Sequence, residues 1–457
     1  MSGVNFRAHF PKTLSLAYPV MLSQLGQVMV GVADSMMVGR LGAEPLAAAS
    51  LANSIFFVVL MFGIGISMAI TPLVAAADGE GKHKRIARLL KHGFVINAFT
   101  GCVLFLLVLL AAPSLFHLNQ PVEVVKLAIP YLGIITLSLI PFMFFQTFKQ
   151  FTEGLSQTKQ AMSITIFCNL INIFLNWVLI YGELGFPAMG LNGAGWATLI
   201  SRILMAVMIF YYVWISKRYA SYKIGFGFKK LSFPLITRML HIGVPTGFQF
   251  IFEVGAFSAA AIMMGWIGVN ALAAHQIAVN LASISYMMAS GLSAAAMVRV
   301  GNQLGRNDIK SLREIGFTAF GMVAIFMLAF AIMLIAFRNY LPLFYIEDLP
   351  VIKMTASLLV IAGFFQLSDG LQVVGLGALR GMADVKTPTI ITLIAYWVVG
   401  LPLGYFFAFY LGFKEQGIWY GLLIGLTCTG VLLIYRFNQL SKNLLKPKPR
   451  MFMRKEF

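Results

Sequence analysis

Apolar residues recur along the whole chain in runs of about twenty or more, separated by short polar stretches. A helix formed by a run of this length can cross the hydrocarbon core of a bilayer, which is about 30 Å thick. The predicted spans are 13–38, 49–77, 92–112, 127–148, 160–181, 191–215, 240–266, 275–298, 315–337, 351–379, 387–410 and 417–435. This pattern predicts an all-α integral membrane protein with twelve transmembrane helices.

The two halves of the chain resemble each other when one is shifted by 226 residues. The shift aligns Pro19 with Pro245, Gly39 with Gly265, Gly65 with Gly291, Gly79 with Gly305 and Lys84 with Lys310. Because each repeat holds an even number of spans, both have the same orientation, and we expect two parallel six-helix lobes around a central cleft. We place the N-terminal lobe at 1–215, the joining loop at 216–238 and the C-terminal lobe with its basic tail at 239–457.

Composition agrees with this fold class, since 59% of the residues are hydrophobic and only 11% are charged. The net charge of +18 is concentrated between the helices. Of the 34 Lys and Arg residues, 28 fall on the side that holds both termini, five fall on the other side, and Arg202 lies within a span. The positive-inside rule therefore predicts a protein of the cytoplasmic membrane with both termini in the cytoplasm. Its basic loops should face anionic lipid, and nucleic acid is not expected as a partner.

Three of the sixteen acidic residues lie inside predicted spans: Asp34 in the first, Glu253 in the seventh and Asp369 in the tenth. An ionised carboxylate at a helix centre costs at least about 2.5 kcal/mol to insert. The repeat does not duplicate these acids, because Asp34 aligns with Ala260 and Glu253 aligns with Gln27. A purely structural role in helix packing is the alternative, but packing requires no ionisable group. We interpret the three acids as functional.

A buried carboxylate can be neutralised by a proton, or it can offer hard oxygen ligands to Na⁺. Either event weakens the attraction of the cleft for a cationic substrate, which is the physical basis of antiport. In the first lobe, Asn172 and Asn176 lie four residues apart on one helix face and could join Asp34, with Thr198 supplying a hydroxyl. The asparagines could instead bond neighbouring helices. Arg202 is either a counter-ion of Asp34 or a residue that reaches internal water.

Enzyme motifs are missing from the sequence. It has no Walker A, HExxH or paired CxxC pattern, and its three cysteines lie in apolar runs. We therefore expect a secondary transporter, monomeric and without a cofactor, that uses Na⁺ or H⁺ as its coupling ion. Two alternatives remain open, namely a flippase of a lipid-linked precursor and a carrier of a cationic metabolite.

Five stretches resemble the multidrug and toxic compound extrusion (MATE) family, in particular its NorM branch, and the resemblance covers about residues 12 to 440. They are PVMLSQLGQVMVGVADSMMVGRLG, NIFLNW, FEVGAFSAAA, AAHQIAVN and SDGLQVVGLGALRG. The resemblance implies two six-helix bundles around a central cavity. It also implies the export of cationic, often aromatic drugs in exchange for Na⁺ or H⁺.

Position by position, Asp34 with Asn172, Asn176 and Thr198 resembles the family's first-lobe cation site. Glu253 and Asp369 resemble its second-lobe cation site, where Na⁺ is a candidate ligand. Phe365 stands where the branch often has tyrosine, so one oxygen ligand for Na⁺ is lost.

Other residues in or near the spans carry smaller predictions. Pro19 and Pro245 should bend their helices beside Asp34 and Glu253 respectively. Glu347 and Asp348 are interpreted as a solvated loop at the outer mouth of the cleft. His275 is interpreted as structural, near the outer surface.

Overall fold

The computed structural model describes residues 6–117, 121–222 and 231–446. Twelve helices in these ranges are long and apolar enough to cross a membrane, and no residue in them forms a β-strand. They are α1 (Phe6–Gly39), α2 (Ala43–Gly79), α3 (His83–Phe116), α4 (Val122–Gly154), α5 (Lys159–Tyr181), α6 (Leu191–Ile215), α7 (Phe233–Ile267), α8 (Val269–Gly305), α9 (Ile309–Ala336), α10 (Leu349–Gly381), α11 (Lys386–Tyr410) and α12 (Lys414–Leu445). The predicted all-α membrane fold with twelve spans is confirmed.

Several helices are longer than their apolar segments, because polar residues extend them past the hydrocarbon boundary. α7 begins at Phe233, inside the loop predicted at 216–238, and a short 3₁₀ helix occupies Lys217–Tyr222. Residues 223–230 of that loop, and the basic tail beyond residue 446, lie outside the described residues. Residues 233–238 of the predicted loop therefore belong to α7.

Two helices are interrupted a few residues before a proline. α2 breaks at Met68 ahead of Pro72, and α4 breaks at Ser138 ahead of Pro141. A proline lacks the N–H that would bond to the carbonyl four residues earlier, so the helical ladder loses a bond there. At both breaks a serine hydroxyl bonds a helix carbonyl, from Ser67 to Ile64 in α2 and from Ser138 to Ile135 in α4.

α11 contains two π-helical segments, Ile394–Gly400 and Phe406–Tyr410. Pro402 follows the first segment, and its missing N–H also weakens the ladder at this point. A wider π turn changes which side chains face the lobe interior, and such turns are frequent at functional sites. In α11 the first segment directs Tyr396 into the second lobe, where its side chain is fully buried.

α1 to α6 and α7 to α12 form two lobes that meet near the membrane side on which α1 begins and α12 ends. We call this the terminal side, and the opposite one the distal side. Within the described ranges, every hydrogen bond between the lobes lies in the terminal halves of the helices. Arg299 of α8 donates to the carbonyl of His9 (2.8 Å), and Asn302 of α8 donates to Asp78 of α2 (2.8 Å). The hydrophobic cluster around Trp419 contains second-lobe residues only.

The joint between the lobes follows the sequence repeat, because equivalent glycines make equivalent close approaches. A Cβ placed on Gly65 of α2 would overlap the backbone of Gly247 in α7, and one on Gly291 of α8 would overlap Met21 in α1. Gly79 and Gly305 likewise approach the carbonyl oxygens of Asn302 and Ala76. Each of these pairs obeys the 226-residue shift. We conclude that a pseudo-two-fold axis passes through the terminal-side joint, where only glycine allows the helices to pack this closely.

Replacing Gly65 by valine should destabilise the protein, because the new side chain would occupy the position of the Gly247 backbone. We expect a loss of stability of about 1–3 kcal/mol or more, the usual range for overpacking. The unfolding temperature of the purified protein in detergent measures it. Gly133→Val is the matched control, since a Cβ placed on Gly133 would meet nothing within 4 Å. Equal unfolding temperatures for the two variants would contradict a glycine-dependent joint.

Candidate functional site

The first candidate site lies between α1 and α5. Asn176 donates from Nδ2 to Oδ1 of Asp34 and to Oδ1 of Asn172 (3.3 Å). Asn172 and Asn176 are 4% and 0% exposed, whereas Asp34 is partly accessible. The structure therefore joins the predicted aspartate and both asparagines, because residues four apart face the same side of α5. The carboxylate of Asp34 keeps lone pairs free for a proton or a cation.

Thr198 of α6 does not join this group, since its half-buried side chain forms no hydrogen bond or ion pair among the described residues. Tyr131 of α4 occupies the neighbouring space instead. It donates to Oδ1 of Asn53 (3.5 Å) and lies within electrostatic range of Asp34. Neither Tyr131 nor Asn53 was identified from the sequence.

Arg202 makes no ion pair with Asp34 within 4 Å in the described part of the chain. Its guanidinium lies between the rings of Phe56 (5.0 Å) and Phe142 (4.7 Å) and donates to Oγ of Ser138 (2.8 Å). The proline-induced break in α4 places Ser138 there. Arg202 is therefore stabilised mainly by aromatic faces and a hydroxyl, and its charge acts on Asp34 from a distance.

The second candidate site lies inside the other lobe. Gln372 of α10 donates to Oε1 of Glu253 in α7 (3.2 Å), and Tyr396 of α11 donates to Oε1 of Gln372 (3.0 Å). Glu253 and Asp369 are 7% and 4% exposed, and they lie close enough for their negative charges to repel. Asp369 forms no hydrogen bond or ion pair among the described residues. Two buried carboxylates with one amide partner attract a positive charge strongly.

Phe365 lies one turn before Asp369 and is buried against Phe257 and Trp419, with ring centroids 6.1 and 5.6 Å apart. A phenol oxygen is therefore absent at this position. The nearby phenols come from Tyr286 of α8, which lies within electrostatic range of both carboxylates, and from Tyr396.

The described residues contain no cluster of three or more His, Cys, Asp or Glu side chains that could hold a metal ion. A cation in the second lobe would have Glu253 and Asp369 as its charged ligands, and its remaining ligands would be neutral oxygens or water. Hard oxygen donors of this kind can bind a hard cation, and either carboxylate can take up a proton instead.

Both predicted helix-bending prolines lie at the lobe joint rather than beside the carboxylates. α1 remains helical through Pro19, which is fifteen residues from Asp34, or about 22 Å along the helix. Pro245 is about 12 Å along α7 from Glu253, and its carbonyl accepts a hydrogen bond from Thr389 (3.0 Å). The expected position beside the acids is wrong, because a helix rises too far in that number of residues.

The remaining sequence predictions concern the distal side. His275 is 1% exposed, and its ring packs on Trp419 with centroids 5.8 Å apart. Its side chain lies in the core of the lobe, less than two turns from the distal start of α8 at Val269. Glu347 is exposed, while Asp348 caps α10 by accepting from the N–H of Val351 (3.3 Å).

The polar residues that sequence reasoning missed are mainly uncharged. Gln372, Tyr396, Gln249 and Tyr131 are common enough in spans that nothing in the sequence distinguishes them. Arg380 was assigned to a loop, because it follows the predicted span 351–379. In the structure it is 6% exposed, and α10 continues to Gly381. Glycines flank both Gln372 and Arg380 in the sequence and indicate close helix packing. This signal could have predicted that both side chains lie inside the lobe.

A family model described as MatE matches residues 19–178 and again residues 245–406. The two matches begin at Pro19 and Pro245, the pair that the 226-residue shift aligns. A probable multidrug resistance protein NorM of Agrobacterium fabrum is 36% identical over 444 residues, which cover 96% of each chain. A multidrug resistance protein MdtK of Yersinia pseudotuberculosis is 34% identical over 439 residues, covering 94% of this chain and 95% of that one.

A solved structure described as the outward-facing conformation of a multidrug resistance MATE family transporter of the MOP superfamily has the same fold. Its TM-score is 0.88 at 21% identity, and the alignment covers 95% of this chain and 96% of that one. At this identity the likeness extends to the fold alone.

The bond between Asp34 and Asn176 should appear as non-additivity in a double-mutant cycle. We expect Asp34→Asn and Asn176→Ala to show a coupling of about 0.5–3 kcal/mol, because the two side chains are in direct contact. Unfolding of the purified variants in detergent measures this energy. The control cycle pairs Asp34→Asn with Gln372→Ala, a residue of the other lobe, and should be additive. Additivity in both cycles would contradict the described site.

Proposed function

Because the chain belongs to the MATE family, whose members are membrane transporters and not enzymes, we propose that it exports organic cations in exchange for Na⁺ or H⁺. The observation that supports this most directly is the pair Glu253 and Asp369, which are buried together with one amide partner and, in the described ranges, no basic side chain within ion-pair distance. A third carboxylate, Asp34, lies in the other lobe. Such groups are costly in hydrocarbon unless they bind and release a charge.

Exchange follows from electrostatics in a medium of low dielectric constant. When a coupling cation neutralises the second-lobe carboxylates, a cationic substrate in the cleft loses much of its attraction and is released. When the coupling cation leaves, the restored negative charge attracts the next substrate. The concentration gradient of the coupling cation drives each cycle, and a membrane potential adds about 2.3 kcal/mol per 100 mV for each net charge that a cycle moves across the membrane.

The substrate class is proposed from the charge and composition of the chain. The relatives are named multidrug resistance proteins, and this chain contains 40 Phe and 25 Met residues. Aromatic faces attract organic cations, and flexible thioethers adapt to different ligand shapes. A cleft of this kind suits several cationic, partly aromatic compounds.

The proposed setting is the cytoplasmic membrane, with the terminal side in the cytoplasm and a monomer in contact with anionic lipid. The excess of Lys and Arg on that side supports this orientation. In this orientation the lobes are joined at the cytoplasmic side, so the described conformation is the one that receives the coupling cation from outside. Transport then requires the glycine-lined joint to open.

Loss of any one of the three carboxylates should abolish or strongly reduce coupled transport. In proteoliposomes with ΔpH and ΔpNa imposed separately, the wild type should accumulate a fluorescent organic cation under one of the two gradients. Glu253→Gln and Asp369→Asn should reduce the initial rate at least about tenfold, because each removes a charge that must cycle. Asp34→Asn should also lower the initial rate of cation-driven accumulation.

Glu347→Gln is the matched control, since this carboxylate is exposed at the distal side and should keep the wild-type rate. Full coupled transport in the variants of all three intramembrane carboxylates would contradict antiport. If neither gradient drives the wild type, and expression leaves drug susceptibility unchanged, a lipid-linked precursor flippase becomes the better assignment.

The orientation has its own test. Green fluorescent protein fused after residue 457 should fluoresce, because that protein folds on the cytoplasmic side of the membrane, and alkaline phosphatase fused there should be inactive. A second pair of fusions after Arg338, in the distal loop between α9 and α10, should give the reverse pattern. Alkaline phosphatase activity from the C-terminal fusion would reject the proposed topology.

A further inference from the structure

The second lobe contains a buried cation, Arg380, that the exchange described so far does not use. Its side chain is 6% exposed, and Nη2 donates to Oε1 of Gln249 (2.9 Å). Nη1 approaches the sulfur of Met68 in the other lobe (3.7 Å), and the guanidinium lies over the ring of Phe250 (5.2 Å). No carboxylate lies within ion-pair distance of it among the described residues.

Gln249 and Glu253 lie four residues apart on α7, so they occupy the same face of that helix. Side chains on a helix incline toward its N-terminus. α7 and α10 run in opposite directions across the membrane, so Glu253 inclines toward the terminal side while Arg380 inclines toward the distal side. The carboxylate and the guanidinium therefore point toward each other, with Gln249 one turn from Glu253.

The hydrogen bonding of this group is incomplete. Among the residues that the structure describes, Nε of Arg380 and Nε2 of Gln249 are both buried without a partner. Within the same residues Glu253 accepts one hydrogen bond, from Gln372, so its carboxylate retains free lone pairs. A buried donor without a partner and a nearby carboxylate with spare acceptors favour a second arrangement in which the two groups pair directly.

We propose that Arg380 is a positioning residue of the second-lobe site, a tethered cation that competes with the coupling cation for Glu253. In the arrangement of this structure the guanidinium lies on Gln249 and Phe250, which leaves Glu253 free to bind the coupling cation. In the alternative arrangement it moves by about one helical turn and pairs with Glu253, which excludes the coupling cation. This competition weakens coupling-cation binding and so speeds its release. The inference rests on the proposed antiport function.

The test measures the concentration of Na⁺ or H⁺ that gives half-maximal transport, separately from the maximal rate. Arg380→Gln should bind the coupling cation about tenfold more tightly, because a nearby positive charge is removed, and should also lower the maximal rate. Arg380→Lys should stay near the wild-type value, since it keeps the charge. A residue with only a packing role would lower expression or maximal rate without shifting this concentration.

Arg313→Gln is the matched control. Arg313 lies in the same lobe, packs over the ring of Phe317 (5.4 Å) and bonds Asn438 and Ser441 far from the carboxylates. If Arg313→Gln shifted the half-maximal cation concentration as much as Arg380→Gln does, the proposal would be overturned. Cation-dependent rises in unfolding temperature give a binding measurement that does not depend on transport, and they should rank the variants in the same order.

Gln249→Leu provides a test of opposite sign if Arg380→Gln fails to fold. It removes the competing partner of the guanidinium, so Arg380 should move onto Glu253 and weaken coupling-cation binding about tenfold. A half-maximal cation concentration equal to or lower than that of the wild type would overturn the proposal. If the wild type responds to neither Na⁺ nor H⁺, antiport itself fails and this inference fails with it. A wild-type response that Arg380→Gln leaves unchanged rejects this inference alone.

Discussion

The low dielectric constant of the membrane interior makes an isolated charge or an unpaired hydrogen-bonding group costly, and the structure depends on how each is compensated. Asp34 accepts from Asn176, and Glu253 accepts from Gln372. Two arginines inside the lobes, the half-buried Arg202 and the buried Arg380, lie on aromatic rings and donate to a neutral oxygen. These four charges are therefore partly compensated within their lobes, whereas Asp369 has no hydrogen-bond or ion-pair partner in the described part of the chain, and the carboxylates of Asp34 and Glu253 keep spare lone pairs.

Helix irregularities next to prolines place polar side chains close to these charged residues. The break caused by Pro141 presents Ser138 to Arg202, and the break before Pro72 lies at Met68, which contacts Arg380. The π segment ahead of Pro402 directs Tyr396 toward Gln372. In hydrocarbon an interrupted helical ladder needs side-chain partners, so the positions where helices deviate become the positions where polar side chains gather.

A symmetric scaffold carries an asymmetric set of charges. The glycine contacts at the terminal side repeat with the 226-residue shift, so neither lobe is favoured at the joint. The carboxylates do not repeat, with one in the first lobe and two in the second. Symmetry in the joint gives both lobes the same packing there, while the unequal charges give the two lobes different electrostatic environments.

Hydrophobic run length determined the twelve helices, and glycines and prolines at matching positions determined the repeat, because both signals depend on local sequence alone. The cost of burying a charge was enough to identify Asp34, Glu253 and Asp369. The sequence did not determine which neutral side chains surround them. Gln372, Tyr396 and Tyr131 come from helices distant in the chain, and Arg380 was assigned to a loop because its burial depends on how α10 packs against α7. Only the tertiary structure brings these groups within hydrogen-bonding or electrostatic range of the charged residues, and at that range they set the hydrogen bonds and the local field of each carboxylate.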